Sequence, residues 1–225
     1  MVTAHERHTL RVLVIGASGG TGRELVTQAL AGGHDVGAFV RDAQRLPIQS
    51  ERLTCHTGDI MDAQALSRAL VGQEAVCCAL GTMPETRSER HRQDRHSTVC
   101  SRGTSHLLVQ MQAQGVARLV VETSAAVGES RTHGRYGAAW VIRRVLAPVM
   151  ADKDVQEAAV RASLLKWTIV RPVRLTFGPR TNQCRAAPDL PYTLWSRISR
   201  ADVAALMLDA ATNSRWVGQA VTVAA

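Results

Sequence analysis

Aromatic residues are scarce in this chain of 225 residues, where tryptophan, tyrosine and phenylalanine together make up 4% of the sequence. Proteins that bind nucleic acid commonly stack bases on such side chains and gather basic residues into one stripe. The formal net charge is +8, but the basic residues are dispersed. One local cluster, Arg87 to His96, also contains acids, so a solvated mixed-charge loop is favoured over a basic lip that faces a substrate. We therefore do not expect a nucleic acid partner.

Long apolar runs are absent too, and no stretch approaches the roughly 18 residues that a membrane-spanning helix needs. The first residues, Met1 to Arg11, are polar where a secretory signal would be apolar. The five cysteines are odd in number and contain no C-x-x-C pair, which is typical of free thiols in a reducing compartment. Cys77 and Cys78 lie in an apolar run and are expected in the core. These absences predict a cytoplasmic protein with neither a membrane nor a metal as partner.

The most informative stretch is an apolar run, Val12 to Ile15, that opens into a glycine-rich turn and then into a helix predicted over residues 20–31. Its composition indicates a strand buried on both faces. Gly16 allows a sharp turn, Gly19 allows a phosphate to approach backbone N–H groups, and Gly22 allows the helix to pack closely. Because the helix directs its N-terminal N–H groups at the turn, a pyrophosphate is the expected occupant. The alternative is an ordinary glycine-rich βα turn.

Arg41 directly follows a second predicted strand, Asp35 to Val40. In dinucleotide-binding folds an acid near this point binds the ribose 2′-hydroxyl of NAD, whereas an arginine accommodates the 2′-phosphate of NADP. Asp42 is adjacent, but it stands where it would cap the turn Ala43 to Leu46. The sequence therefore predicts NADP as the cofactor, with a solvent-exposed loop arginine as the alternative for Arg41.

The rest of the chain continues to alternate between strand and helix patterns. Further strands are predicted at Leu53 to Thr57, Ala75 to Leu80, Arg118 to Thr123, Trp167 to Val170 and Ala220 to Val223. Helices are predicted at Ala63 to Leu70, Ser97 to Gln114, Tyr136 to Leu146, Ala151 to Ser163 and Ala201 to Ala211. This alternation predicts an α/β protein with a single Rossmann domain over 1–225, a doubly wound parallel sheet flanked by helices, and an N-terminal tail at 1–10. Residues 173–199 contain three prolines and are predicted to be an irregular segment on the substrate side.

Polar residues at the ends of these strands are the candidate site, because the carboxyl ends of strands in a doubly wound sheet line one crevice. Asp59 and Ile60 are expected beside the adenine, and Gly81 and Thr82 along the cofactor. Ser124 ends the fifth strand, where its hydroxyl would project towards the nicotinamide, and it is the first catalytic candidate. Asp59 could cap the next helix, either instead of this role or together with it, and Ser124 could simply end its strand.

Several motifs occur in an order that covers nearly the whole chain: Val14 to Gly22, Val40 to Asp42, Gly58 to Ile60, Leu80 to Thr82, Gly115 to Val121, Thr123-Ser124, Trp167 to Pro172 and Ile198 to Ala204. Together they resemble the atypical short-chain dehydrogenase/reductase proteins of the NAD(P)H-binding, NmrA-like group. Within that group the sequence is most similar to the biliverdin reductase B (flavin reductase) type.

The resemblance implies NADPH in the crevice and a role for each matching residue. The pyrophosphate would be held by Gly16, Ala17, Ser18, Gly19, Gly20, Thr21 and Gly22. The adenosine half would contact Arg41 at the 2′-phosphate, Asp59 and Ile60 at the adenine, and Leu80, Gly81 and Thr82 on the ribose and phosphate side. At the other end, Ser124 would lie by the nicotinamide, Lys153 by its ribose, and the backbone of Pro172 and Val173 along its border.

One departure from the family pattern concerns the proton donor. Familiar short-chain dehydrogenases carry Tyr-x-x-x-Lys, in which the phenol acts as general acid. Here Tyr136 is followed four residues later by Trp140, and Val149 precedes Lys153 by four. Tyr136 could still approach the site as a catalytic residue, or it could serve on the surface or in packing. Relatives of the flavin reductase type also lack this tyrosine and use a proton from solvent, so reduction remains compatible with the sequence.

Three functions are compatible with these residues. The first is NADPH-dependent reduction of a planar conjugated acceptor, such as a flavin, a quinone or a polyketide-like carbonyl compound. The second is a non-catalytic NADP-binding regulator of the NmrA type, and the third is a non-redox tailoring enzyme (isomerase, cyclase or dehydratase) that uses the same pocket. In each enzymatic case the partner is a small-molecule substrate, and the expected assembly is a monomer or homodimer.

Overall fold

A computed structural model describes residues 9–81, 98–213 and 215–225. The strands are β1 (Arg11–Ile15), β2 (Asp35–Val40), β3 (Leu53–Thr57), β4 (Ala75–Cys78), β5 (Arg118–Glu122), β6 (Lys166–Pro172), β7 (Arg174–Thr176), β8 (Arg185–Ala187), β9 (Arg197–Ser199) and β10 (Gln219–Ala224). The α-helices are α1 (Gly20–Ala31), α2 (Ala63–Leu70), α3 (Val99–Ala113), α4 (Ala138–Val145), α5 (Ala147–Ala162) and α6 (Arg200–Thr212). None of the helices described is long and apolar enough to cross a membrane.

The main sheet has the strand order β3-β2-β1-β4-β5-β6-β10-β8. Its strands pair in parallel from β3 to β10, and β8 adds an antiparallel edge. The chain winds outwards from β1 through β2 to β3, and then returns to the other side of β1 as β4. Because the order reverses between β1 and β4, their carboxyl ends form the crevice in which such sheets bind ligands. The predicted doubly wound α/β fold is confirmed.

The core lies on both faces of this sheet, which explains the unbroken apolar run at β1. Val12 and Val14 face one layer, which includes α1 and α6, while Leu13 and Ile15 face the other, which includes α2 and α3. Successive side chains of a strand point to opposite faces, so every position of β1 after its first residue must be apolar. All four of these side chains are fully buried.

The segment 173–199 is more ordered than its sequence predicts. β7 pairs in parallel with β9 in a separate two-stranded sheet, while β8 pairs with β10 at the edge of the main sheet. These strands have three residues each, too short for an alternating pattern to show, and their partners lie far away along the chain. The expectation of an irregular segment is therefore wrong for these strands, although the prolines do fall between them.

Pro148 marks a second difference from expectation. The sequence predicts that a helix ends before this proline and that the next begins at Ala151, but α5 already begins at Ala147 and contains Pro148 in its first turn. Proline is tolerated there because a first-turn N–H has no partner within the helix. Tyr136 lies outside α4, on a 3-10 turn at Arg135–Gly137.

Candidate active site

The glycine-rich turn after β1 requires glycine at two positions for reasons that the structure makes explicit. Gly16 has a φ of +79°, and a Cβ there would lie 2.7 Å from the carbonyl oxygen of Ala79 at the end of β4. A Cβ on Gly22 would collide with the carbonyl oxygen of Gly16. The turn is closed by a hydrogen bond of 3.0 Å from the Gly19 N–H to that same Gly16 carbonyl. Strand, turn and helix are thus packed backbone against backbone.

The N-terminus of α1 has no capping side chain. Its N-cap is Gly19, which offers no side-chain acceptor, and its first turn contains no acidic residue. By contrast, α2 is capped by Asp62 and α6 by Ser199. A helix that begins in this way directs N–H donors and the positive end of its dipole at the crevice, which is how helices bind phosphate. The segment Gly16 to Gly22 therefore fits a pyrophosphate.

Arg41 lies at the edge of the crevice beyond β2, with an exposed side chain. Within the described ranges its guanidinium has neither a hydrogen bond nor an ion pair, so it is available to an anion. The neighbouring Asp42 is occupied, since its carboxylate accepts a hydrogen bond of 2.9 Å from the Gln44 N–H and caps the 3-10 turn Ala43–Arg45. The predicted capping role of Asp42 is confirmed, whereas the role of Arg41 at a 2′-phosphate stays a prediction.

Asp59 does not cap the following helix. Its carboxylate accepts a hydrogen bond of 2.8 Å from the Met61 N–H, while Asp62 caps α2 by accepting from Gln64 and Ala65 at 2.9 and 3.1 Å. The alternative assignment for Asp59 is therefore wrong, and its side chain stays exposed at the end of β3.

Ile60 and Leu80 form an apolar wall that reaches from β3 to β4. Both side chains lie close to Gly103 of α3. A Cβ added at Gly103 would lie 2.9 Å from the side chain of Ile60 and 3.2 Å from that of Leu80. Gly81 follows as an exposed residue. Thr82 and the basic segment at 87–96 lie outside the described residues.

Ser124 lies next to Pro172, at the ends of the paired strands β5 and β6. The Thr123 N–H donates to the Val170 carbonyl at 2.8 Å, and the Ala125 N–H donates to the Pro172 carbonyl at 2.9 Å. Ser124 between them is half-buried, and Val173 is buried beside Pro172. The residues predicted around the nicotinamide are thus neighbours, and their contact with it stays a prediction.

A buried ionic network supports the strand end at Ser124. Oε1 of Glu157 accepts hydrogen bonds from the Thr123 hydroxyl at 2.7 Å and from Nε of Arg171 at 2.9 Å. Nη2 of Arg171 also donates to Glu129 at 2.9 Å. Burial by itself would lower the pKa of Arg171, but the hydrogen bonds to Glu157 and Glu129 outweigh burial and raise that pKa. The guanidinium therefore remains charged although its side chain is fully buried.

Asp154 ties the loop after Ser124 to α5. Its carboxylate accepts hydrogen bonds from the Gly128 N–H at 3.2 Å, from Arg131 at 3.1 Å and from Arg143 at 2.9 Å. Arg143 also donates to the Ala126 carbonyl at 3.1 Å. The loop includes positive φ angles at Ala126 and Gly128, so these contacts hold a backbone that would otherwise relax.

Lys153 is buried on α5, among groups at the ends of β4 and β5. Its positive charge lowers the pKa of Glu122, Cys78 and Cys100, although burial outweighs it and the pKa of each is raised. The preceding residue, Asp152, caps α3 by accepting from the Cys100 and Ser101 N–H groups at 3.0 and 3.1 Å. Lys153 therefore lies near Glu122, the last residue of β5, and its contact with a ribose stays a prediction.

Tyr136 is placed differently from the other catalytic candidates. Its side chain is 92% exposed, and its φ of +53° is unusual for a residue other than glycine. Ser124 is half-buried and Lys153 is buried, so the three candidates do not share one environment. This location favours the surface role for Tyr136 over the catalytic one.

Sequence reasoning missed Glu122, the last residue of β5. It is buried, and its Oε1 accepts a hydrogen bond of 3.1 Å from the Thr21 hydroxyl in the first turn of α1. Burial raises the pKa of this carboxyl, against the opposing effects of Lys153, Thr21 and Arg200. The available signal was an acid that follows the apolar residues Leu119 to Val121 within one strand.

Comparison with known proteins agrees with this geometry. The profile of a protein family described as NAD(P)H-binding matches residues 16–214 of the chain. Among solved structures, an anaerobilin reductase, ChuY, from Escherichia coli O157:H7 superimposes with a TM-score of 0.76 at 21% identity, over 95% of this chain and 96% of that one. A short-chain dehydrogenase/reductase of Veillonella parvula in complex with NADP gives a TM-score of 0.76 at 16% identity, over 95% and 94% of the two chains.

A 3-beta-hydroxysteroid dehydrogenase of Mycolicibacterium neoaurum is 35% identical over 121 residues. The match spans 52% of this chain and 32% of the dehydrogenase, so the chain is similar to about a third of that relative.

Proposed function

Because this chain belongs to the NAD(P)H-binding family, we propose that it is an NADPH-dependent reductase of the atypical short-chain dehydrogenase/reductase type. Its substrate is a planar conjugated small molecule, such as a flavin, a quinone or a polyketide-like carbonyl compound. The observation that carries the proposal is the uncapped N-terminus of α1 above the Gly16 to Gly22 turn, at the point where the strand order reverses.

Arg41 supports NADPH over NADH. Its guanidinium stands at the end of β2 without a partner in the described part of the chain, while the neighbouring carboxylate of Asp42 is engaged in capping. A guanidinium matches the charge and hydrogen-bonding geometry of a 2′-phosphate. The Veillonella structure solved with NADP has the same fold and is compatible with this choice.

The reduced nicotinamide, when bound, supplies the hydride, and the residues of this chain bind and orient the cofactor and the substrate. Ser124 donates a hydrogen bond to the carboxamide or to a substrate oxygen. Lys153 holds the ribose, and the backbone at Pro172 and Val173 limits the nicotinamide side of the crevice. Solvent provides the proton, since the side chain of Tyr136 is almost fully exposed, unlike those of Ser124 and Lys153.

Calorimetry with purified protein tests the cofactor assignment. NADPH should bind more tightly than NADH. Arg41→Gln should weaken the binding of NADPH by about tenfold and leave the binding of NADH nearly unchanged, since one charge-assisted contact is worth about 1.4 kcal/mol or more. Arg68→Gln, an exposed arginine on α2, is the matched control. If the wild-type protein binds neither dinucleotide, the proposed function is wrong.

A non-catalytic NADP-binding regulator is the second candidate, favoured by the exposed position of Tyr136 and the missing Tyr-x-x-x-Lys motif. An acceptor panel separates the two functions. Riboflavin, flavin mononucleotide and menadione cover flavins and quinones, and NADPH oxidation with any of them supports the reductase. Tight NADPH binding without oxidation across the panel supports the regulator.

We place the protein in the cytoplasm as a monomer or homodimer whose partner is a small-molecule substrate, without nucleic acid or membrane partners. The thiols support a reducing compartment, because all five cysteines are free. Cys77 and Cys78 are buried core residues, as predicted, and burial raises the pKa of each thiol to about 12. They therefore stay protonated and unreactive at neutral pH.

A further inference from the structure

One hydrogen bond joins the two halves of the crevice. It runs 3.1 Å from the Thr21 hydroxyl to Oε1 of Glu122, and it connects residues 101 positions apart in the chain. Thr21 lies in the first turn of α1, within the glycine-rich segment, while Glu122 ends β5 two residues before Ser124. Both side chains are buried. The contact therefore spans from the proposed pyrophosphate end to the proposed nicotinamide end.

Packing alone does not account for a carboxyl at position 122. All five residues of β5 are buried, and a valine or leucine would complete the strand without the cost of taking a carboxyl out of water. Instead the carboxyl receives the Thr21 hydroxyl and lies under the opposing positive charges of Lys153 on α5 and Arg200 on α6. Glu122 is thus hydrogen-bonded to α1 and interacts electrostatically with residues of α5 and α6, and all three helices border the crevice.

We propose that Glu122 is a positioning residue, which acts through Thr21. By holding the first turn of α1 against the carboxyl end of β5, it fixes the distance between a pyrophosphate bound at Gly16 to Gly22 and the hydroxyl of Ser124. Glu122 contacts neither cofactor nor substrate. The kinetic consequence of this inference rests on the proposed reductase function. Its structural consequence can be measured in the cofactor-free protein.

The kinetic consequence is a separation of turnover from binding. The N–H groups that hold a pyrophosphate belong to the turn itself, so they survive the loss of the hydrogen bond. The far end of the cofactor is misplaced instead, and a displacement of about 1 Å at the reacting atoms can cost on the order of a hundredfold in rate. Turnover should therefore fall much more than cofactor affinity.

The variants are chosen to keep the shape of the site. Thr21→Val removes the donor with little change of volume, and Thr21→Ser restores the donor with one methyl group fewer. Glu122→Gln retains an acceptor without the charge, and Glu122→Leu removes the acceptor. Thr27→Val, on the exposed face of the same helix, is the matched control.

The first measurement is hydrogen exchange in the cofactor-free protein. The backbone amide of Arg23, which donates to the Gly19 carbonyl at the start of α1, should exchange at least about fivefold faster in Thr21→Val and Glu122→Leu than in the wild type, because a lost hydrogen bond is worth about 1 kcal/mol. Thr21→Ser, Glu122→Gln and Thr27→Val should exchange like the wild type. If the exchange rates of Thr21→Val and the wild type are equal, the hydrogen bond does not hold α1 against β5 and the proposal is overturned, whatever the activity of the protein.

The second measurement uses NADPH calorimetry together with NADPH oxidation by menadione or riboflavin. In Thr21→Val, kcat should fall by about ten- to a hundredfold while the Kd for NADPH changes by less than about threefold, and Thr21→Ser should recover the wild-type rate. A Thr21→Val protein with wild-type kcat, or a Thr21→Ser protein as slow as Thr21→Val, overturns the positioning role. A wild-type protein that binds neither NADPH nor NADH overturns the proposed function instead. The exchange result then still decides whether Glu122 holds α1 against β5.

Discussion

The hydroxyl of Thr123 donates a hydrogen bond of 2.7 Å to Oε1 of Glu157, which fixes the residue before Ser124 from α5. The same helix carries Lys153, one turn earlier. Two residues proposed to flank the nicotinamide are therefore held relative to one another by one buried carboxylate. That carboxylate also neutralises Arg171, so the geometry of the site and the stability of the fold depend on the same group.

Removing Glu157 should be strongly destabilising. Glu157→Leu leaves Arg171 buried with Glu129 as its one remaining carboxylate partner among the residues that the structure describes, and breaking a buried pair costs about 3–5 kcal/mol of the free energy of unfolding. The double variant Glu157→Leu/Arg171→Met should recover most of that loss, because it removes both members of the buried pair and leaves neither charge unpartnered. Urea denaturation measures the free energy of unfolding of both variants. The control is Arg161→Ala, which removes the exposed ion pair between Arg161 and Glu129 and should cost less than about 1 kcal/mol. A double variant as unstable as the single one would contradict this account.

Gly16→Ala should destabilise the protein and abolish NADPH binding. Its φ of +79° strains any other residue, and its Cβ would meet the Ala79 carbonyl. Gly33→Ala is a control with nearly the same φ, +82°, but with open space around the added carbon. We expect a loss of about 1–2 kcal/mol in Gly33→Ala and a larger loss in Gly16→Ala, measured by urea denaturation. Equal losses would mean that the approach of β4 to the turn does not matter.

The ion pair at Glu129 predicts a loss of stability in acid. Burial alone would raise the pKa of Glu129, but a hydrogen bond from its own backbone and the guanidinium groups of Arg171 and Arg161 lower it from 4.5 to about 2. A carboxyl with a lower pKa in the folded state stabilises the fold above its unfolded pKa, and this contribution is lost as the pH falls from about 4.5 towards 2. Over that interval, the free energy of unfolding should fall more steeply in the wild type than in Glu129→Gln. Parallel curves would show that the pair does not contribute.

Ser124→Ala tests the proposed contact at the nicotinamide. With NADPH as donor and menadione or riboflavin as acceptor, the rate of oxidation should fall at least about tenfold, since a single positioned donor is worth that much or more in catalysis. The Kd for NADPH should change by less than about threefold. Ser105→Ala on the exposed face of α3 serves as control. An unchanged rate would remove Ser124 from the mechanism.

Local chemistry explains how much of the fold was predictable. The bounds of α1, α2, β2 and β3 agree with the sequence patterns, because glycine, capping residues and apolar periodicity mark those ends within a few positions. Even there, the sequence offered Asp59 as the cap of α2, and only the observed N–H contacts identify Asp62 as the cap.

The rest depended on partners that are distant along the chain. Nothing near Glu122 indicates Thr21, and nothing near Arg171 indicates Glu129, which lies 42 positions away. The short strands β7 and β8 likewise exist because another strand offers them hydrogen bonds. Tertiary contacts of this kind leave no periodic trace in a sequence, so the buried half of the site became visible only in the fold.

The polar residues of α5 have a consequence for how this protein can vary. Asp152 reaches α3, Lys153 the end of β5, Asp154 the loop after Ser124, Gln156 the hydroxyl of Thr104, and Glu157 both Thr123 and Arg171. Each residue inserted into an α-helix rotates the next part of the helix by about 100°. One added residue before Asp152 would turn all of these groups away from their partners at once. An insertion or deletion in this helix would therefore disturb the strand end at Ser124, the loop behind it and the neighbouring helix α3 together, so the helix has to keep its register.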